Sequence, residues 1–187
     1  MTVIGQAVQD AGKPLLLRRD AAKPGDVIAV TGTLGESAAG FRQLRAGVMD
    51  GEFVVAHQRP QPRLAEGALA ISAGVRCGID VSDGLLADIG HICERSGVGA
   101  GIKADAVPLS PALRKAYPDA LHLACTGGED YELVLVGPKK VLETIREDAH
   151  LTFIGEIVEH RDHRAKLFAG NGREIVFEKP GWDAFKS

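Results

Sequence analysis

Short apolar runs alternate along the chain with longer stretches in which apolar residues recur every three or four positions, the mark of strands interleaved with helices. Residues 2–8 read as a strand, and a turn at Ala22-Lys23-Pro24-Gly25-Asp26 leads into a second, Val27-Ile28-Ala29-Val30-Thr31. Gly32-Thr33-Leu34-Gly35 breaks that strand, and residues 36–44 take up helical spacing. Residues 54–57 run into Arg59-Pro60-Gln61-Pro62-Arg63, where two prolines stop one helix and Pro62 can open the next, over residues 64–75. A short strand at residues 77–81 precedes a helix over 84–96, with Leu85, Leu86, Ile89 and Ile92 near one face. Residues 98–102 are a strand, 108–117 and 120–125 short helical pieces, 131–136 a strand, 139–147 a helix and 152–158 a strand. Residues 166–168 and 174–177 form a hairpin across Asn171-Gly172.

Strands alternating with helices and ending in a hairpin imply an α+β fold in layers, a mixed sheet flanked by helices. The 187 residues suffice for one domain with a sizeable core, and no internal repeat or linker divides them, so residues 1–187 are taken as a single domain. Hydrophobic content is 45%, charged content 25% and net charge −3, with no long Lys/Arg run, which argues against a nucleic-acid surface. No apolar stretch approaches the roughly 18 residues of a membrane span, and the N-terminus lacks the pattern of a secretory signal. Cys77, Cys93 and Cys125 are widely spaced and form no CxxC pair, so they read as core fillers in a reducing, cytoplasmic setting.

Two acidic stretches carry the candidate chemistry. In Asp80-Val81-Ser82-Asp83-Gly84, two carboxylates sit three residues apart on a strand-to-helix turn, with no cation in the turn to neutralise them. The structural alternative is that Ser82 or Asp83 merely caps the following helix. The chemical one is that both carboxylates hold Mg²⁺, which takes one or two protein carboxylates together with waters and substrate phosphate oxygens. Gly127-Gly128-Glu129-Asp130-Tyr131 lies between a helical piece and a strand. It is either a solvated acidic turn or a loop whose glycines let the backbone approach a ligand closely. Gly32-Thr33-Leu34-Gly35 stands where phosphate loops occur but has neither the spacing nor the lysine of a P-loop. Arg18 and Arg19 could meet phosphate as a fork. His57 has no ligand-spaced partner, and Trp182 either packs the tail or stacks on an aromatic ligand.

In order and spacing, these stretches resemble thiamine-monophosphate kinase, within the aminoimidazole ribonucleotide synthetase-like superfamily. The matching segments are Ala22–Ile28, Val30–Gly40, Arg59–Arg63, Asp80–Leu85, Pro108–Ser110 and, most specifically, Gly127-Gly128-Glu129-Asp130-Tyr131-Glu132-Leu133. The resemblance implies the C-terminal domain of an ATP-dependent enzyme that phosphorylates thiamine monophosphate to the diphosphate. An N-terminal ATP- and Mg²⁺-binding domain, through which the family mainly forms homodimers, is absent from this sequence. By the same resemblance, Asp80 and Asp83 are Mg²⁺ ligands with Asp83 catalytic, Arg19 and Ser82 contact ATP, and Glu129 and Trp182 bind thiamine monophosphate. The competing expectation is a non-catalytic ligand-binding or assembly domain that has lost its partner half. On either expectation, the chain alone is inactive as a kinase.

Overall fold

The computed structural model of the chain describes residues 7–159, 162–178 and 181. A small hairpin, β1 (Val8–Asp10) and β2 (Lys13–Leu15), precedes the main body. The strand expected over residues 2–8 falls mostly outside the described residues. The body is a seven-stranded sheet in the order β4-β6-β3-β7-β5-β8-β9, antiparallel throughout except for the parallel β5–β8 pair. Its strands are β3 (Val27–Thr31), β4 (Cys77–Asp80), β5 (Gly99–Lys103), β6 (Leu133–Gly137), β7 (Leu151–Val158), β8 (Ala165–Phe168) and β9 (Glu174–Ile175). The mixed sheet flanked by helices is the α+β class read from the sequence, and β8–β9 is the hairpin read across Asn171-Gly172.

β3 is apolar along nearly its whole length because it is covered on both faces. Ile28 and Val30 point into a core shared with α4 (Leu85–Ser96) and α6 (Ala120–Thr126), where Leu85, Ile89, Ile92, Ala124 and Cys125 are buried. Ala29, between them, faces the opposite layer, built by α3 (Leu64–Ala73) and α7 (Lys139–Thr144) with Ala70, Leu135 and Leu142. A third cluster joins α1 (Glu36–Arg45), α2 (Glu52–Gln58), α5 (Pro111–Ala116) and α6 through Ala39, Phe53, Leu113 and Leu123. All three cysteines are free and buried, and burial pushes Cys77 up to about 11 and Cys93 and Cys125 to about 12. They are inert core residues.

One polar knot joins three of these elements. Glu132, 6% exposed just before β6, accepts from Arg63 Nε at 2.7 Å and Nη2 at 2.6 Å and from the Thr31 hydroxyl at 2.5 Å. The Thr31 oxygen in turn accepts the Leu133 N–H at 2.9 Å. Arg63 is the residue just before α3, so a bidentate pair pins that helix to the end of the central strand.

Removing one member of a buried pair leaves the other charge uncompensated, at a cost of about 3–5 kcal/mol. Glu132→Ala is therefore expected to lower Tm by roughly 10 °C, at about 2–4 °C per kcal/mol for a domain of this size. Glu132→Ala with Arg63→Met is expected to recover part of the loss, because the guanidinium no longer lacks its main partner, while Glu66 gives up its 3.4 Å contact to Arg63. Thermal unfolding by circular dichroism checks both. A double mutant no more stable than the single one contradicts the account.

Candidate active site

The two acidic stretches lie 46 positions apart (Asp83 to Glu129) and meet through backbone. Val81 donates its N–H to the Glu132 carbonyl (2.8 Å), Tyr131 to the Val81 carbonyl (2.9 Å), and Glu129 to the Ser82 carbonyl (3.0 Å). These bonds extend the β4–β6 ladder past the end of both strands. A Cβ at Gly128 would run into the Ser82 carbonyl oxygen, so that glycine is needed for the close approach of the two stretches; one at Gly127 would run into Ala38 and the Leu123 carbonyl.

Glu129 (φ 66°) and Tyr131 (φ 53°) both adopt the left-handed region, which costs a non-glycine residue on the order of 1–3 kcal/mol. Glu129 is exposed and accepts a 3.2 Å bond from the Tyr131 phenol. Burial, then the Glu129, Asp80 and Asp83 carboxylates, push that phenol up, so three acids converge on it. Asp130 turns the other way. Its carboxylate accepts the Gly35 N–H at 2.8 Å and the Ser37 N–H at 3.1 Å, closing the start of α1, whose own N-cap, Gly35, has no side chain to do so. Burial pushes Asp130 up to about 7, against those two N–H groups, which favour its charge. The stretch is not a solvated turn: Asp130, like Glu132 just beyond it, is structural, and Glu129 faces outward.

Asp80 is exposed at the end of β4, and Asp83 half-buried on the turn into α4. Among the described residues no lysine or arginine lies within 4.0 Å of either carboxylate; the imidazole Nε2 of His91 is 4.0 Å from Asp83 Oδ2. Both, with Ser82, Asp88, His91 and Arg19, line an open cavity of about 450 Å³. Arg18, by contrast, forms a forked pair with Asp20 at 2.7 and 2.5 Å. Glu129 stands beside the cavity rather than in its wall, and Trp182 lies outside the described residues.

Neither Ser82 nor Asp83 caps α4. Gly84 occupies the cap position, and the free N–H groups of Ser82, Asp83 and Gly84 are taken by Asp88, a residue the hydrophobic pattern left unremarked. A sequence signal existed: Asp88 sits among Leu85, Leu86, Ile89 and Ile92 on the helix, so the stripe buries it. Burial pushes it up to about 6, and the Asp83 carboxylate adds to the rise.

The donor set fits a hard divalent cation. Carboxylates grouped around one cavity without a lysine or arginine partner repel one another until a cation offsets them. Asp83, Asp88 and His91 offer ligand atoms within 4.8 Å of one another, and Asp80 stands at the rim. A larger cavity of about 790 Å³ over β5, β7 and β8 intersperses Lys103, Arg164 and Lys166 with Glu156 and Glu174 and carries no such grouping.

The layered sheet with an acid-lined cavity at the end of its β4 edge defines a class. Residues 23–167 match the family described as AIR synthase related protein, C-terminal domain, and the chain belongs to it. Within that family it is similar to thiamine-monophosphate kinase of Salmonella typhimurium, 37% identical over 182 residues that cover 90% of this chain and 55% of the relative. Among solved structures it resembles thiamine-monophosphate kinase from Stenotrophomonas maltophilia, with 35% identity, TM-score 0.74, and coverage of 85% of this chain and 54% of that one. It also resembles AaThiL complexed with AMPPCP and TMP, with 31% identity, TM-score 0.77, and coverage of 90% and 54%. The chain thus spans just over half the length of the kinases it matches. No helix among the described residues is long and apolar enough to cross a membrane.

Asp130 gives a pH test of the strap. Its folded value of about 7 lies above that of an unfolded aspartate, about 3.9. The folded state therefore holds an extra proton between those values, and this group's contribution to stability is lost as pH rises through the window. Asp130→Asn cannot ionise, so its Tm relative to the parent chain is expected to climb between about pH 5 and pH 7.5. A difference that stays flat across that range would show that Asp130 does not titrate there.

Proposed function

We propose that this chain is the C-terminal domain of an ATP-dependent thiamine-monophosphate kinase, the part that closes the phosphoryl-transfer site and receives thiamine monophosphate. The observation that carries this reading is the juxtaposition of Asp80, Ser82, Asp83 and Arg19 on one cavity beside the Glu129–Tyr131 strap. It stands in a chain similar over 90% of its length to a kinase of that name.

In this reading Asp80 and Asp83 would hold Mg²⁺, with Asp83 the catalytic member of the pair. The ion, when bound, neutralises charge on the phosphoryl groups and on the oxygens that carry it in the transition state. The chain's own residues do the rest by position. Arg19 offers a guanidinium to phosphate oxygens that two anionic substrates would otherwise crowd together. The Ser82 hydroxyl, on the same turn, contacts the nucleotide. Glu129 supplies a carboxylate for thiamine monophosphate, held in place by the Tyr131 phenol, and Trp182 supplies an aromatic surface for it. No side chain needs to act as a proton carrier, because the acceptor is already a phosphate oxygen. The remaining ATP and cation contacts belong to the N-terminal half of such an enzyme, so residues 1–187 alone are a binding half-site.

The test joins this chain to the N-terminal half of a thiamine-monophosphate kinase. The completed enzyme is expected to form thiamine diphosphate from ATP and thiamine monophosphate, and the isolated chain to form none. In the completed enzyme Asp83→Asn is expected to lower kcat about 10²-fold or more, as for a charge acting in the transition state. Trp182→Ala is expected mainly to raise KM for thiamine monophosphate several-fold, the effect of losing an aromatic contact of about 1 kcal/mol. Steady-state kinetics decide. If neither parameter moves in the assigned mutant, the site assignment falls.

A further inference from the structure

The turn that carries Ser82 and Asp83 is anchored in an unusual way. A helix start is ordinarily closed by a short polar side chain at the cap itself, exposed enough to cost little. Here the cap position is Gly84, φ 121°, where a Cβ would press on the Thr126 peptide. Asp88, in the first turn of α4 and 1% exposed, instead reaches back past the cap to the turn that precedes the helix. All three of its hydrogen bonds fall on one oxygen, Oδ2, from the N–H groups of Ser82 (3.0 Å), Asp83 (3.1 Å) and Gly84 (3.1 Å).

A buried carboxylate is a costly way to satisfy the N–H groups of a turn. Its geometric effect is specific, though. The N–H groups of Asp83 and Gly84 belong to the two peptides that flank the Asp83 Cα, and that of Ser82 to the peptide before. Tying all three to one point fixes both backbone dihedrals at Asp83, and with them the direction of its Cβ. On the other side of the turn, the Ser82 carbonyl is held by the Glu129 N–H at 3.0 Å. The turn is thus clamped from the helix by Asp88 and from the strap by backbone.

We propose that Asp88 is a positioning residue, whose carboxylate sets the Ser82–Gly84 backbone so that the Asp83 carboxylate and the Ser82 hydroxyl face the cavity before any cation or phosphate arrives. The inference rests on the reading of Asp80 and Asp83 as cation ligands, and its test separates the two. The 187-residue chain, uniformly labelled with ¹⁵N, is titrated with Mn²⁺, whose paramagnetism broadens nearby amide signals even at millimolar affinity. Hydrogen exchange of the Ser82, Asp83 and Gly84 amides is read alongside. Asp88→Asn keeps an acceptor oxygen, Asp88→Ser is too short to reach, and Asp83→Asn removes a ligand while leaving the anchor intact.

In the parent chain, broadening is expected to centre on residues 80–84. Asp88→Ser is expected to raise the Mn²⁺ midpoint about tenfold and to speed exchange at the three amides at least tenfold, the scale of losing charge-assisted bonds. Amides in the buried strands should stay protected. Asp88→Asn, which folds by virtue of its matched shape, is expected to restore most of both, with changes of about threefold. Asp83→Asn is expected to abolish the broadening without touching amide exchange. Asp88→Asn as damaging to Mn²⁺ binding as Asp83→Asn would overturn the proposal by making Asp88 a direct ligand. Unchanged exchange and an unchanged midpoint in both Asp88 variants would overturn it by removing the anchor. No broadening anywhere in the parent chain would sink the cation reading, and the amide exchange would then still decide whether Asp88 holds the turn.

Discussion

The site depends on one constraint: the backbone of residues 128–132 lies against the backbone of residues 81–83 at hydrogen-bonding distance. Three N–H···O bonds continue the sheet where the strands proper have ended, and no side chain intervenes. Gly128 is the condition for it, since any larger residue would meet the Ser82 carbonyl. Without this seam, Asp80 and Asp83 would belong to one loop and Glu129 to another. With it, acids far apart in sequence share one face, and Tyr131 feels the charge of all three.

The seam also sorts the acids of the strap. Its side chains alternate between two sides although the backbone is not a regular strand. Asp130 and Glu132 go inward, one to close α1 and the other to hold Arg63 and Thr31. Glu129 and Tyr131 go outward, and the left-handed backbone at both bends the segment enough for the phenol to reach the carboxylate. Strain at two adjacent outward positions is tolerable only because the inward ones are firmly bonded. The inward acids therefore stabilise the fold in a way that also fixes where the outward ones stand.

Much of the fold was legible in the chain. The strands read over 27–31 and 152–158 and the helix read over 84–96 match the observed elements to within one residue at each end, because burial on one or both faces wrote the pattern. Tyr131 was read as strand and is not: the apolar run that starts two residues on, at Leu133, suggested extension, but the left-handed turn that aims it is set by the distant Val81 and Ser82 carbonyls. The helix read over residues 139–147 stops at Thr144, with turns following. The candidate acids were found from their spacing beside glycine, whereas their division into structural and outward-facing members was not. Asp88 escaped for a related reason, since its partners are backbone groups, which have no letter in a sequence.

Topology separates Arg18 from Arg19, which composition does not. Adjacent arginines have equal chemistry. The segment that carries them runs along the free edge of β4, with Arg18 donating its N–H to the Arg76 carbonyl at 2.8 Å and accepting from the Gly78 N–H at 3.1 Å. That pairing makes the segment strand-like, so Leu17 and Arg19 share one side and Arg18 takes the other. Leu17 and Arg19 both line the acid-rich cavity, while Arg18 turns away to its forked bond with Asp20. Covering the edge of β4 and placing Arg19 rather than Arg18 on the acid-lined cavity are thus consequences of the same two backbone hydrogen bonds.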